Sequence, residues 1–181
     1  MIDTKKNTAV VFPGQGSQVI GMGADLYEKS SIAKDIFDEV DDTLGRKLTD
    51  IVFSGSQEIL NKTENAQPAI TATSLACFSV FKDKYKDFTP SVTAGHSLGE
   101  YTSLSASNAL SVSDTIRLVS ERGRLMQIAC DKNPGGMVAI IGMEIDVVEE
   151  VCREAGAYPS NINSSQQVII SGDNDSLAIA V

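Results

Sequence analysis

The chain is poor in histidine, cysteine and positive charge, and each shortage argues against a class of function. Its three cysteines form no CxxC pair, which argues against a disulfide framework and against a zinc site. Lysine and arginine total 15 against 24 acidic residues, for a formal net charge of −9. A nucleic-acid partner is therefore not expected, because clustered cations supply the sequence-independent part of that affinity.

Long hydrophobic runs are also lacking. No segment approaches the ~18 uninterrupted apolar residues that indicate a membrane span. The first residues, MIDTKKNTAVVF, hold no apolar run followed by a small-residue cleavage site. We therefore expect a cytoplasmic protein with no membrane partner and no metal.

The order of the predicted elements divides the 181 residues into two units. In residues 1–131, short strands alternate with helices, which is typical of an α/β body. The predicted strands are 8–12 (expected to be buried) and 91–95, and the predicted helices are 21–45, 64–85, 98–107 and 113–130. Residues 135–181 follow the order strand–helix–strand–strand–helix, which is a ferredoxin-like unit that lacks its last strand.

The stretch TAGHSLGEY places Ser97 in a GxSxG pattern between a predicted strand and a predicted helix. A nucleophile elbow needs glycine at both flanks because its turn is tight. It also places the serine oxygen at a helix N-terminus, where backbone N–H groups favour a developing oxyanion. The N–H of Leu98 is the natural donor. The alternative is a chance GxSxG on an ordinary turn.

The single histidine of the chain, His96, is the direct neighbour of this serine. A general base must reach the serine oxygen at about 2.6–3.2 Å, and adjacent side chains around such a turn point in different directions. We therefore interpret His96 as a residue that orients the elbow or lines the pocket. The loop FPGQGSQ, residues 12–18, lacks the Lys-Ser/Thr pair of a phosphate-binding loop. It is interpreted as the source of a second oxyanion donor.

Six ordered motifs carry a family resemblance: FPGQGSQ, AQPA (66–69), AGHSLGEY, ERGRLMQ (121–127), GGMVAIIG and NINSSQQVIISG. Together they resemble the malonyl-CoA:acyl carrier protein transacylases of fatty acid synthesis and the acyltransferase domains of polyketide synthases. The resemblance implies an α/β-hydrolase-like body with a parallel sheet (1–131) and a ferredoxin-like small subdomain (135–181), both incomplete here.

The resemblance also implies roles for single residues. Ser97 is implied to be the acylated nucleophile, and Gln15 and Leu98 the backbone oxyanion donors. Arg122 is implied to pair with the free carboxylate of the malonyl group. From the residues alone the preferred interpretation of Arg122 is a surface or dipole arginine near a helix C-terminus. Arg117 and Arg124 compete for the carboxylate-binding role, and only the motif alignment singles out Arg122.

Three further residues are weaker candidates for substrate binding. Met126 lies four residues after Arg122, on the same helix face, and either lines the acyl pocket or packs in the core. Asn161 and Asn163 are similar to asparagines that face the site from the small subdomain of the family. Their alternative role is in a turn.

The implied activity is malonyl transfer from malonyl-CoA to the phosphopantetheine thiol of acyl carrier protein through an acyl-serine, with no cofactor. The family's general-base histidine is expected beyond residue 181. The chain is therefore expected to be a fragment, inactive or weak alone, and a monomer when complete. Two alternatives stay open: a serine thioesterase or esterase of the α/β-hydrolase type, and a non-catalytic fragment that binds coenzyme A or carrier protein. The choice between malonyl and methylmalonyl is not decided by these residues.

Overall fold

The computed structural model describes residues 7–181, and the chain forms two compact units, one up to residue 127 and one from 128 to 181. The first contains a small parallel sheet and the second a small antiparallel sheet, which confirms the α/β class. The domain bounds 1–131 and 135–181 stay a prediction. Within the described residues, no helix is long and apolar enough to cross a membrane.

The sheet of the first unit consists of β1 (Ala9–Phe12) and β2 (Val92–Gly95), which pair in parallel. Both strands were predicted, but the expected burial of β1 is wrong at Val11, which is 72% exposed. Within residues 7–181 β1 pairs only with β2, so the edge of β1 that faces away from β2 has no partner strand. Phe12 at its end is buried and points toward the helices.

Helices make up most of the first unit. They are α1 (Ala24–Lys29), α2 (Ser31–Leu44), α3 (Leu48–Ser54), α4 (Gln57–Asn61), α5 (Thr63–Lys84), α6 (Gly99–Ala106) and α7 (Val112–Lys132). The four long predicted segments are confirmed as helical. Helices α3 and α4 were not predicted, because five to seven residues are too few for a helical period to emerge from the sequence.

The core of this unit forms around α5. Small residues on α5 at helical spacing (Ala66, Ala69, Ala72 and Ala76) are all fully buried and let neighbouring helices approach closely. The apolar face of α2 contributes Phe37, whose ring meets the rings of Tyr27 and Phe53 at centroid distances of 5.9 and 5.2 Å. The N-terminal half of α5 is therefore buried on nearly all sides, and polar residues within it lie inside the protein.

The second unit contains β3 (Gly136–Ile141), α8 (Ile145–Ala155), β4 (Tyr158–Ser164), β5 (Gln167–Gly172) and α9 (Asn174–Ala180). Its strands pair antiparallel in the order β3-β5-β4, and the predicted strand–helix–strand–strand–helix order is confirmed. Asp173 caps α9 by accepting a hydrogen bond from the Ser176 backbone N–H at 2.7 Å. Val148, Cys152, Val168, Ile170 and Leu177 form its apolar core.

Candidate active site

Ser97 lies on a sharp turn between a strand and a helix. Strand β2 ends at Gly95 and helix α6 begins at Gly99. The φ angle of Ser97 is 49°, in the left-handed region that side chains other than glycine rarely adopt. Backbone strain of this kind costs of order 1–3 kcal/mol and is concentrated at functional sites. The geometry is that of a nucleophile elbow, and the catalytic role of Ser97 stays a prediction.

The two glycines of the GxSxG pattern are explained by close backbone approaches. A Cβ on Gly95 would lie 1.9 Å from the carbonyl carbon of Gly99. A Cβ on Gly99 would lie 2.4 Å from the carbonyl oxygen of Phe12, at the end of β1. Neither position has room for a side chain, so both glycines are needed to bring α6 against the strands and present Ser97 at its N-terminus.

The loop after β1 packs on the same turn. A Cβ on Gly14 would lie 2.7 Å from Nδ1 of His96, and the His96 backbone N–H donates to the Phe12 carbonyl at 3.1 Å. The Gln15 side chain donates from Nε2 to Thr63 Oγ1 at 3.0 Å, which ties the loop to the start of α5. His96 therefore lies where the loop meets the elbow, and its role in orienting the turn or lining the pocket stays a prediction.

The predicted oxyanion donors are the backbone N–H groups of Gln15 and Leu98. In the described part of the chain neither N–H donates a hydrogen bond to a protein acceptor. Leu98 itself is fully buried, which fixes its backbone at the start of α6. Neither N–H is committed to an acceptor in the described residues, and their role as an oxyanion hole stays a prediction.

Arg122 reaches the elbow from α7. Its Nη2 donates to Ser97 Oγ at 2.8 Å, and its Nη1 donates to Gln67 Oε1 at 2.6 Å. Its guanidinium carbon lies 5.8 Å from the centroid of the Tyr101 ring, within cation–π range. No carboxylate among residues 7–181 forms an ion pair with it. A half-buried positive charge therefore lies beside the serine oxygen with neutral partners.

The two competing arginines on α7 are engaged elsewhere. Arg117 pairs with Asp114 at 3.0 Å, and Arg124 makes two hydrogen bonds of 2.7 Å to the carboxylate of Glu121. The bond from Arg124 lowers the pKa of Glu121, which keeps that pair ionised. Of the three arginines considered from the sequence, only Arg122 is brought to Ser97.

The remaining candidates are placed differently. Met126 is 39% exposed, and its Sδ accepts a hydrogen bond from Gln67 Nε2 at 3.1 Å. Asn161 and Asn163 lie on β4 of the second unit rather than in a turn, and Asn163 donates to Gln167 Oε1 at 3.0 Å. The substrate-binding role of all three stays a prediction.

Two polar residues at the site were not singled out from the sequence. Gln67 lies in the AQPA motif and Thr63 begins α5. Thr63 accepts from the Gln15 side chain, and its backbone N–H donates to Gln127 Oε1 at 3.1 Å. The sequence signal that could have identified them is the run of polar residues at the start of α5, an otherwise apolar helix. A polar side chain that is buried there needs a hydrogen-bond partner.

Comparison with known proteins places this chain in a family. The acyl transferase domain family matches residues 9–181. The chain belongs to this family. Malonyl CoA-acyl carrier protein transacylase of Bacillus subtilis (strain 168) is 44% identical over 177 residues, which cover 95% of this chain and 55% of that protein. The protein of the same name from Haemophilus influenzae is 44% identical over 171 residues, covering 92% and 55%.

A solved structure supports the same assignment. A malonyl-transacylase in complex with its type II PKS acyl-carrier protein superimposes with a TM-score of 0.89 at 40% identity. The match covers 97% of this chain and 58% of that one. The acyltransferase fold expected from the motifs is thereby confirmed. The chain spans about half the length of the curated relatives it matches.

Proposed function

We propose that this acyl transferase family member carries the nucleophile and the acyl-recognition residues of a malonyl-CoA:acyl carrier protein transacylase of fatty acid synthesis. The observation that carries the proposal is the 2.8 Å contact between Arg122 Nη2 and Ser97 Oγ, made by a guanidinium that has no carboxylate partner in the described residues. The names of the relatives support the same activity.

The chemistry of malonyl suits this arrangement. A single methylene separates its free carboxylate from its thioester carbonyl, so the charge to be recognised lies close to the carbon that the serine attacks. A planar guanidinium binds a carboxylate with two parallel hydrogen bonds, which a lysine ammonium cannot reproduce. Acyl groups without a carboxylate would leave the half-buried Arg122 charge unpaired, which is unfavourable.

The proposed reaction is a ping-pong transfer. Ser97 Oγ attacks the thioester carbonyl of malonyl-CoA and gives its proton to a general base. The carbon–sulfur bond then breaks, and the coenzyme A thiolate leaves and takes up that proton. The phosphopantetheine thiol of acyl carrier protein next gives its proton to the same base and attacks the malonyl ester carbonyl. The ester carbon–oxygen bond then breaks, and Ser97 Oγ leaves and takes up that proton.

The N–H groups of Leu98 and Gln15 would stabilise the oxyanion of both tetrahedral intermediates, since loss of one such donor commonly costs ~10²–10³ in rate. The N-terminus of α6 adds its dipole. The general base is proposed to be a histidine outside these 181 residues, because His96 packs against the loop at Gly14. We propose no cofactor beyond the two substrates, a cytoplasmic location and a monomeric whole protein.

The first test is the intact mass of the folded chain after incubation with malonyl-CoA, beside Ser97→Ala. We expect a malonyl adduct that requires Ser97, that forms slowly because the proposed general base lies outside these residues, and that moves to phosphopantetheinylated acyl carrier protein when it is added. An adduct that decays to malonate at the same rate with and without carrier protein would favour the thioesterase alternative. Carrier-protein binding without any adduct on a folded chain would contradict catalysis by this chain and favour a binding role.

A further inference from the structure

Gln67 is a fully buried polar side chain on α5, with 0% of its surface exposed. Its Oε1 accepts a hydrogen bond from Arg122 Nη1 at 2.6 Å, and its Nε2 donates to Met126 Sδ at 3.1 Å. A buried carboxamide is tolerated when both of its ends have partners. Gln67 thus connects the core of the first unit directly to the guanidinium beside Ser97.

The two partners of Gln67 fix the direction in which its amide points. A guanidinium only donates hydrogen bonds, and a thioether sulfur only accepts them. Rotating the amide by half a turn would place its NH₂ against the guanidinium and its oxygen against the sulfur, which leaves both contacts unsatisfied. The Gln67 oxygen is therefore held toward Arg122, and it restrains a side chain that otherwise has several freely rotating bonds.

The neutrality of Gln67 is as important as its geometry. Among residues 7–181, the Arg122 guanidinium donates hydrogen bonds to the Ser97 hydroxyl and the Gln67 amide and lies over the Tyr101 ring, and none of these three groups carries a charge. A glutamate at position 67 would reach as far and accept the same hydrogen bond, but it would form a buried ion pair. The charge of Arg122 would then be compensated by the protein rather than by a ligand.

We propose that Gln67 is a positioning residue that determines the charge selectivity of the site. It holds the Arg122 guanidinium beside Ser97 and, because it is neutral, leaves the positive charge available to the carboxylate of an acyl group. This inference rests on the proposed function, and its tests below separate the two.

The positioning part can be tested without turnover, on a chain labelled with nitrogen-15 in its arginine side chains. The Arg122 signals are assigned by their loss in Arg122→Lys, and Arg117 on the same helix is the internal reference. We expect hydrogen exchange of the Arg122 Nη protons with water to accelerate about 10-fold in Gln67→Met, because a charge-assisted hydrogen bond is lost. Unchanged exchange in a folded Gln67→Met chain would overturn the positioning role.

The selectivity part is tested by titrating the same signals with monoethyl malonate, which carries one carboxylate and one ester. Diethyl malonate is the uncharged control ligand. We expect the dissociation constant for monoethyl malonate to rise about 10- to 100-fold in Gln67→Glu, with no effect on the diester. Equal affinity of wild type and Gln67→Glu, including no measurable binding by either, would overturn the proposal.

Matched variants separate this effect from misfolding and from general charge. Gln166→Glu adds the same charge in an exposed turn of the second unit, and it is expected to bind monoethyl malonate like the wild type. Circular dichroism and the thermal midpoint report whether each variant folds. If Gln67→Glu does not fold, Gln67→Met decides the outcome: it is expected to weaken monoethyl malonate binding about 10-fold, and unchanged affinity overturns the proposal.

Acylation separates this inference from the proposed function. In a mixture of malonyl-CoA and acetyl-CoA, Gln67→Glu is expected to lower the ratio of malonyl to acetyl on Ser97 about 10- to 100-fold. A wild-type chain that binds monoethyl malonate but is never acylated would contradict the proposed function alone. An equal ratio of malonyl to acetyl on Ser97 in the wild type and in Gln67→Glu would contradict only the role of Gln67.

Discussion

The substitution Gly99→Ala tests whether the close approach of α6 to β1 is what forms the elbow. The added Cβ would lie 2.4 Å from the Phe12 carbonyl oxygen and 2.9 Å from the Pro13 carbonyl oxygen, and ordinary contact begins at 3.4 Å. The backbone must therefore open by about 1 Å, the difference between 3.4 and 2.4 Å. Both obstructing atoms belong to the backbone, so no side chain can rotate out of the way.

The expected loss of stability follows from two opposing terms. Overpacking by this amount against rigid backbone costs about 3 kcal/mol. The better helix propensity of alanine returns at most about 1 kcal/mol, because Gly99 is the first residue of α6. The net loss of about 2 kcal/mol lowers the thermal midpoint by about 4–8 °C for a chain of this size. Displacing Ser97 by about 1 Å should also slow its acylation by malonyl-CoA about 100-fold.

Thermal unfolding and the rate of acyl-serine formation are the two assays, with Gly172→Ala as the control. A Cβ on Gly172 would meet its nearest atom at 3.4 Å, which is ordinary contact, and its φ is not left-handed. We expect that control to stay within about 0.5 kcal/mol of the wild type. A Gly99→Ala chain with unchanged thermal midpoint and acylation rate would refute the elbow geometry described above.

Three further predictions concern single contacts. Arg122→Ala should lower the ratio of malonyl to acetyl acylation about 100-fold, measured by mass spectrometry, and an unchanged ratio would contradict its assignment. Thr63→Val should slow acylation and lower the free energy of unfolding by about 1 kcal/mol, because it releases the Gln15 side chain. Thr63→Ser keeps the hydroxyl and should change neither. Equal thermal midpoints and acylation rates for the two variants would refute a role for the bond between Gln15 and Thr63. The hydrogen bond from the Ser176 backbone N–H lowers the pKa of Asp173. The Asp173 carboxylate therefore stabilises α9 above about pH 4, and this stabilisation is lost as the pH falls through the lowered pKa. The protection of the Ser176 amide, taken as its exchange rate relative to that of an unstructured peptide at the same pH, should therefore fall in acid for the wild type and stay level in Asp173→Asn. Parallel protection curves would argue against the cap.

Much of the fold was accessible from the sequence because its signals are local. The alternation of short apolar runs with helical periods predicted both parallel strands and the long helices, and the glycines around Ser97 predicted a strand–turn–helix. Helices α3 and α4 were missed because they are too short to show a period. The exposure of Val11 was missed because burial of a strand depends on which elements cover it, and an apolar run does not specify them.

The candidate site was accessible only in part. The motif order pointed to Arg122, but helical spacing alone could not separate it from Arg117 and Arg124. Arg117 and Arg124 each pair with a carboxylate on their own helix. Arg122 instead reaches the Ser97 hydroxyl, 25 residues away in the chain, and such a tertiary contact cannot be read from helical spacing. The role of Gln67 depends on a contact between α5 and α7, which no local pattern encodes.

The most direct test of the central claim is a competition experiment on the unmodified chain. The folded protein is incubated with equal concentrations of malonyl-CoA and acetyl-CoA, digested, and mapped by mass spectrometry for the acyl group on each peptide. We expect malonyl on the peptide that contains Ser97, in at least about 10-fold excess over acetyl, because Arg122 recognises a carboxylate. Equal malonyl and acetyl on Ser97, or acyl groups found only on other residues, would contradict it.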